Sequence, residues 1–129
     1  MAREGHIPPS LKEELRMNSV SVNNAEHYVW GAGCDGWHLA SLPGLSVIQE
    51  KVPPGKSEVR HFHDVSEQFF YVLSGEATIE AGENRVTLCA GEGLHIPPRL
   101  PHQLKNESVR DVEFLVVSAP PSHGDRTVV

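Results

Sequence analysis

The chain has 129 residues, one domain's worth and enough to bury a core without covalent staples. Its formal charge of −6, from 17 acidic against 11 basic residues, argues against nucleic acid as a partner, because that affinity rests on Lys and Arg neutralising phosphates. There is no apolar run of about 18 residues for a transmembrane helix, no basic block for a membrane surface, and no basic-then-apolar signal order in Met1-Ala2-Arg3-Glu4; a soluble cytoplasmic protein is expected.

Residues 1–24 read as an extension. Pro8-Pro9 break structure, and Ser10-Leu11-Lys12-Glu13 has the form of a capping box, predicting a short helix over 10–17. From residue 25 the pattern becomes strands and turns. Tyr28-Val29-Trp30 and Trp37-His38-Leu39 are β-prone pieces around a Gly-rich turn. Leu45 to Val52 runs into Pro53-Pro54-Gly55. Glu58–His63, Gln68–Ser74, Glu76–Ala81, Arg85–Leu88, Leu94–Ile96, His102–Asn106 and Asp111–Ser118 follow, with turn residues between them. About nine or ten short strands at regular spacing predict an all-β barrel or sandwich over 25–119. Residues 120–129 are polar and turn-rich, a tail that is either a lid or disordered.

Eight histidines are an unusual share, and three of them fall in patterned segments. In His61-Phe62-His63, strand alternation sends both imidazoles to one face. Four residues later Gln68 opens the next strand, where 68, 70 and 72 share a face. A tight connection brings that strand back beside the first, so Gln68 sits across from the histidines. Prolines 97, 98 and 101 fix an extended turn that delivers His102. The expected metal ligands are therefore His61, His63, Gln68 and His102, with Phe70, Val72 and Leu104 lining the cavity beside them. Cys34 and Cys89 are too few for a disulfide framework and are read as reduced, small apolar residues.

These two segments resemble the two motifs of the cupin superfamily, the double-stranded β-helix or jelly-roll barrel. Gly55, His61, His63 and Gly75 match the first motif, and Gly91, Pro97, His102 and Asn106 the second, over roughly residues 45–118. Two positions depart from it. Six residues before Gly75, where the family has Glu, this chain has Gln68; Glu67 is the alternative if the shorter spacing applies, but alternation gives it the opposite face. Arg99 stands where the second motif has Gly, near the expected barrel mouth, where it would clamp an anion or meet solvent.

A neutral amide in place of a carboxylate leaves a bound ion its full +2 charge, which strengthens Lewis acidity and favours anionic ligands. Three imidazoles suit Zn, Ni, Fe, Mn or Cu. The resemblance implies a metal-dependent enzyme on a small oxygen-rich or anionic molecule, with dioxygenase-type or Lewis-acid isomerase-type chemistry. The alternative is a cupin that binds or senses a small molecule without turning it over. No general base stands out; Glu67, Tyr71 and His95 are candidates. Phe69, Tyr71 and Leu73 are expected to face outward, and pairing across a two-fold axis to give a homodimer. His123-Gly124-Asp125-Arg126 reads as a solvated tail, or as a segment folded over the barrel mouth.

Overall fold

The computed structural model describes residues 17–129, so the helix expected over 10–17 lies outside the described residues but for its last position. Eleven strands run in chain order: β1 (Glu26–Trp30), β2 (Cys34–Leu42), β3 (Leu45–Val52), β4 (His61–Phe62), β5 (Glu67–Ser74), β6 (Glu76–Ala81), β7 (Asn84–Cys89), β8 (Gly93–Ile96), β9 (His102–Lys105), β10 (Val112–Ala119) and β11 (Thr127–Val128). They form two antiparallel sheets. One has the order β1-β2-β3-β10-β5-β8, the other β11-β4-β9-β6-β7. Among the described residues there is no helix, and the architecture is the jelly-roll barrel expected.

Alternation explains which side of each strand is dry. In β5, Gln68, Phe70 and Val72 are buried while Glu67, Phe69, Tyr71 and Leu73 are exposed. In β10, Val112, Phe114, Val116 and Ser118 are buried. These faces meet Val52, Ile79, Ile96 and Leu104 between the sheets in one apolar core. At about 25 cal/mol per Å2 of apolar surface removed from water, such a core is the main stabilising term.

Two motif positions are structural. Gly75 links β5 to β6 at φ 82°, and a Cβ there would lie 2.4 Å from the Asp111 carbonyl oxygen, so both torsion and space require glycine. Asn106 is 1% exposed. Its Nδ2 donates to the Val52 and Arg110 carbonyls at 2.8 and 2.7 Å, while its Oδ1 accepts from Ser108 N at 3.0 Å. It ties the end of β3 to the β9–β10 loop.

The last ten residues do not trail away. Strand β11 pairs with β4 at the sheet edge, Thr127 opposite Phe62 and Val128 opposite His61. Residues 120–129 thus form a strap across one end of the barrel, the folded-over alternative for this segment.

Candidate metal centre

His61 lies on β4 and pairs directly with His102 on β9, and His63 follows two residues on, so three buried imidazoles gather at one barrel end. One ring nitrogen of each lies within 4.8 Å of the others. Each ring is oriented through Nδ1. His61 Nδ1–H donates to the Val59 carbonyl at 2.7 Å and His102 Nδ1–H to the Leu100 carbonyl at 2.9 Å. His63 Nδ1–H donates to the Asp125 carbonyl in the strap. A carbonyl only accepts, so all three Nδ1 atoms carry protons and Nε2 is the atom each ring has left to offer to a metal.

Burial lowers the basicity of two of the rings. His61 falls to about 4, chiefly by desolvation, and His102 is lowered for the same reason. His63 Nε2 is buried with no hydrogen-bond partner among the described residues. Gln68 Nε2 donates to Ser118 Oγ at 2.9 Å, which fixes the amide so that its Oε1 faces His102 Nε2 at 3.2 Å. Two lone-pair atoms at that distance repel unless a cation lies with them. An orphaned buried imidazole nitrogen, two further bare nitrogens and an amide oxygen make a donor set that fits a divalent transition metal.

Glu67, the alternative ligand, points the other way. Its carboxylate is half exposed on the outer face and meets His95 Nε2 at 3.0 Å. The three general-base candidates, Glu67, Tyr71 and His95, are all solvent-facing and none lines the cavity, because odd positions of β5 and their β8 neighbours face outward. Phe70 lines the cavity; Val72 and Leu104 do not. They are each 1% exposed and lie deeper, opposite Phe114 and Ile79, where the core closes. Arg99 is exposed on the turn and absent from the cavity wall; its backbone N–H donates to the His63 carbonyl at 2.6 Å.

The cavity against His61 and His63 has a volume of about 240 Å3; its wall includes Tyr28, Glu50 and Glu58, which the sequence pattern did not single out, and Arg126, from the segment expected either as a solvated tail or folded over the barrel mouth. Glu50 is on the inward face of β3, in phase with Ser46, Ile48 and Val52; a charge on an apolar face was the signal that could have found it. Glu58 Oε1 accepts from Leu104 N at 2.9 Å. Burial raises Glu50 to about 8, helped by the neighbouring Glu58, and burial raises Glu58 to about 7 against the pull of the Leu104 N–H and Arg126. Two carboxyls poised near neutrality thus share a chamber with His61, His63 and Gln68, while His102, fully buried, is not part of its wall.

Comparison with known proteins agrees with this geometry. Residues 48–118 match the family model described as Cupin_2, cupin domain. An uncharacterized protein of Methanocaldococcus jannaschii is 29% identical over 85 residues, 65% of this chain and 68% of that one. The polyketide synthase CurC of Streptomyces cyaneus is 34% identical over 85 residues, 63% of this chain and 53% of its own length, so this chain spans about half of CurC. The structure of the polyketide cyclase RemF from Streptomyces resistomycificus superimposes with a TM-score of 0.74 at 21% identity, covering 88% of this chain and 85% of RemF. At that identity the likeness speaks for the fold.

Proposed function

The chain belongs to the cupin family, and from that premise we propose that it is a metal-dependent enzyme acting on a small oxygen-rich or anionic molecule by Lewis-acid, proton-moving chemistry. The observation that carries this reading is the convergence of three oriented imidazoles, two of them in the wall of a cavity that also holds two protonatable carboxyls. His61, His63, His102 and Gln68 would hold the ion. When bound, a divalent metal supplies a Lewis acid that polarises a carbonyl or lowers the pKa of a hydroxyl.

The chain's own residues do the rest. Glu58, near 7, and Glu50, near 8, are matched to taking and returning protons at neutral pH. Phe70, Ile48 and Val116 keep one side of the chamber apolar and limit the water in it. Proton-handling groups favour isomerisation, cyclisation or related non-redox steps over the rival, dioxygenase-type reading. The names of CurC and RemF support oxygen-rich carbon skeletons as the kind of molecule handled. A homodimer completes the proposal, supported by the exposed row Phe69, Tyr71 and Leu73 on β5. A cytoplasmic location is supported by two cysteines that stay apart as free thiols, one of them exposed.

The test is elemental analysis of the purified protein beside three variants. About one divalent transition-metal ion per chain is expected in the wild type and in Glu67→Ala. His63→Ala should lose it, and Gln68→Ala should bind it roughly 10–100-fold more weakly. A wild type without metal would sink the proposal. Loss of metal in Glu67→Ala but not in Gln68→Ala would sink the ligand set. If the ion is redox-active, oxygen uptake with a catechol probe decides for the dioxygenase reading.

A further inference from the structure

Gly36 occupies a particular place in the six-stranded sheet. It pairs with Tyr28 on β1 and with Glu50 on β3, so the three lie in one row across neighbouring strands. A Cβ on Gly36 would fall 2.2 Å from Tyr28 Cζ and 2.5 Å from its hydroxyl oxygen. The phenol therefore lies across the space that a side chain would fill. Its ring packs on His38, with centroids 4.9 Å apart, and it lines the metal-side cavity together with Glu50. Any side chain at position 36 would push it away.

Arg126 reaches the same cavity from the opposite direction, on the C-terminal strap. The residue before it is pinned. Asp125 Oδ1 accepts from Asp64 N at 2.7 Å, and Oδ2 from Val65 N at 3.0 Å and Ser66 N at 2.8 Å. The residues after it form β11. Arg126 is thus a long cationic side chain on a fixed base. Among the described residues, the Tyr28 hydroxyl, the Glu50 carboxyl and the Arg126 guanidinium take part in no hydrogen bond or ion pair with protein. Polar groups gathered in one chamber without partners are what a ligand site requires.

We propose that Tyr28, Glu50 and Arg126 are the ligand-recognition set of this chamber, built to hold a small hydroxylated carboxylate, and that Gly36 is the residue that admits Tyr28 to it. Arg126 takes the carboxylate, as a guanidinium fork does. Tyr28 and Glu50 exchange hydrogen bonds with the hydroxyls. Two acids beside an anionic ligand are compatible with binding only while they carry protons, which agrees with the upward displacement of Glu50 and Glu58. The volume of about 240 Å3 lies below the range of drug-sized pockets and suits a molecule of a few carbons. This assignment rests on the cavity being the substrate chamber proposed above.

The probes are L-tartrate and L-threitol, which share a four-carbon dihydroxy skeleton and differ in whether its ends are charged. Binding is measured by titration calorimetry on zinc-loaded and on metal-free protein, with metal content determined for every sample. Zinc-loaded wild type is expected to bind tartrate at least tenfold more tightly than threitol. Arg126→Gln should lose tenfold or more for tartrate with threitol and metal content unchanged. Tyr28→Phe and Gly36→Ala should weaken both probes severalfold. If Gly36→Ala fails to fold, Tyr28→Phe, which keeps the ring, carries that arm. Tartrate affinity within twofold of wild type in both Arg126→Gln and Tyr28→Phe overturns the assignment, as does failure of both wild-type forms to bind tartrate. Wild type that takes up no zinc sinks the metal proposal alone. Metal-free wild type that still binds tartrate, with the loss in Arg126→Gln, then supports the recognition set by itself.

Discussion

Glu50 shows how one residue imprints itself on pH behaviour. Its carboxyl ordinarily titrates near 4.5 and is raised to about 8 in the folded chain by burial and by Glu58. Between those values the folded state holds a proton that the unfolded state has released. Unfolding free energy therefore falls as pH rises, by up to about 1.4 kcal/mol per pH unit for one such group. His61 acts in the opposite sense. Its ordinary 6.5 drops to about 4, so its stabilising contribution is present above 6.5 and is lost as pH falls toward 4. Above 6.5, of these two groups, only Glu50 still contributes a slope. Urea unfolding of metal-free protein should give lower stability at pH 8 than at pH 7, and Glu50→Gln should flatten that difference; an unchanged slope would refute the displacement. Position 99 teaches a different residue-scale lesson. Arg99 departs from the motif's glycine, with an anion clamp or simple contact with solvent as the two expectations for its side chain. The structure gives it a φ of 69° on the turn after Pro97-Pro98, so glycine suits this site for its torsion, and the Arg side chain faces solvent.

At the scale of elements, period-two alternation was the most legible signal. It separates Gln68, Phe70 and Val72 from Glu67, Phe69, Tyr71 and Leu73 on β5, and the structure keeps them on opposite faces. The same rule applied to β3 would have exposed Glu50. Alternation gives the face of a residue but not its depth, which is why Val72 and Leu104 proved to be core rather than cavity wall. The strap was illegible for another reason. Its order comes from partners far away in sequence, with Asp125 fastened to residues 59–61 positions earlier. The three backbone N–H donors hold the Asp125 carboxylate below its ordinary range. Its contribution is therefore present at neutral pH and disappears only as pH falls through that lowered value. Asp125→Ala should speed hydrogen exchange at the amides of residues 64, 65 and 66 and leave the amides of β6 and β7 as they were. Unchanged exchange at the three amides would mean the strap is held by other contacts.

For the whole molecule, two sheets closing on one apolar core put the three-histidine cluster at one end and the covered core at the other. The fold was readable because glycine, proline and asparagine at motif spacings mark turns that any such barrel must make. Gly75 and Asn106 are the clearest cases, and both act on backbone rather than on a ligand. The outer face of β5 remains partly bare, with Phe69, Tyr71 and Leu73 at 42%, 38% and 41% exposure in an interior strand of the larger sheet. Apolar residues aligned on a sheet face suit a two-fold contact. Light scattering is expected to give twice the mass of one chain, and the double variant Phe69→Lys, Leu73→Lys to give a monomer. A wild type that stays monomeric at micromolar concentration would remove the dimer.

The bond from His63 to the Asp125 carbonyl ties the imidazole cluster to events far away along the chain. The two residues are 62 positions apart. The acceptor sits in a segment whose own anchors are the backbone amides of residues 64, 65 and 66 and the edge of β4. A cut or deletion in that segment removes the carbonyl that holds the Nδ1 proton of His63, and with it the orientation that turns Nε2 inward. The integrity of the strap is thereby written into the donor set, and damage to it reads out at the histidines.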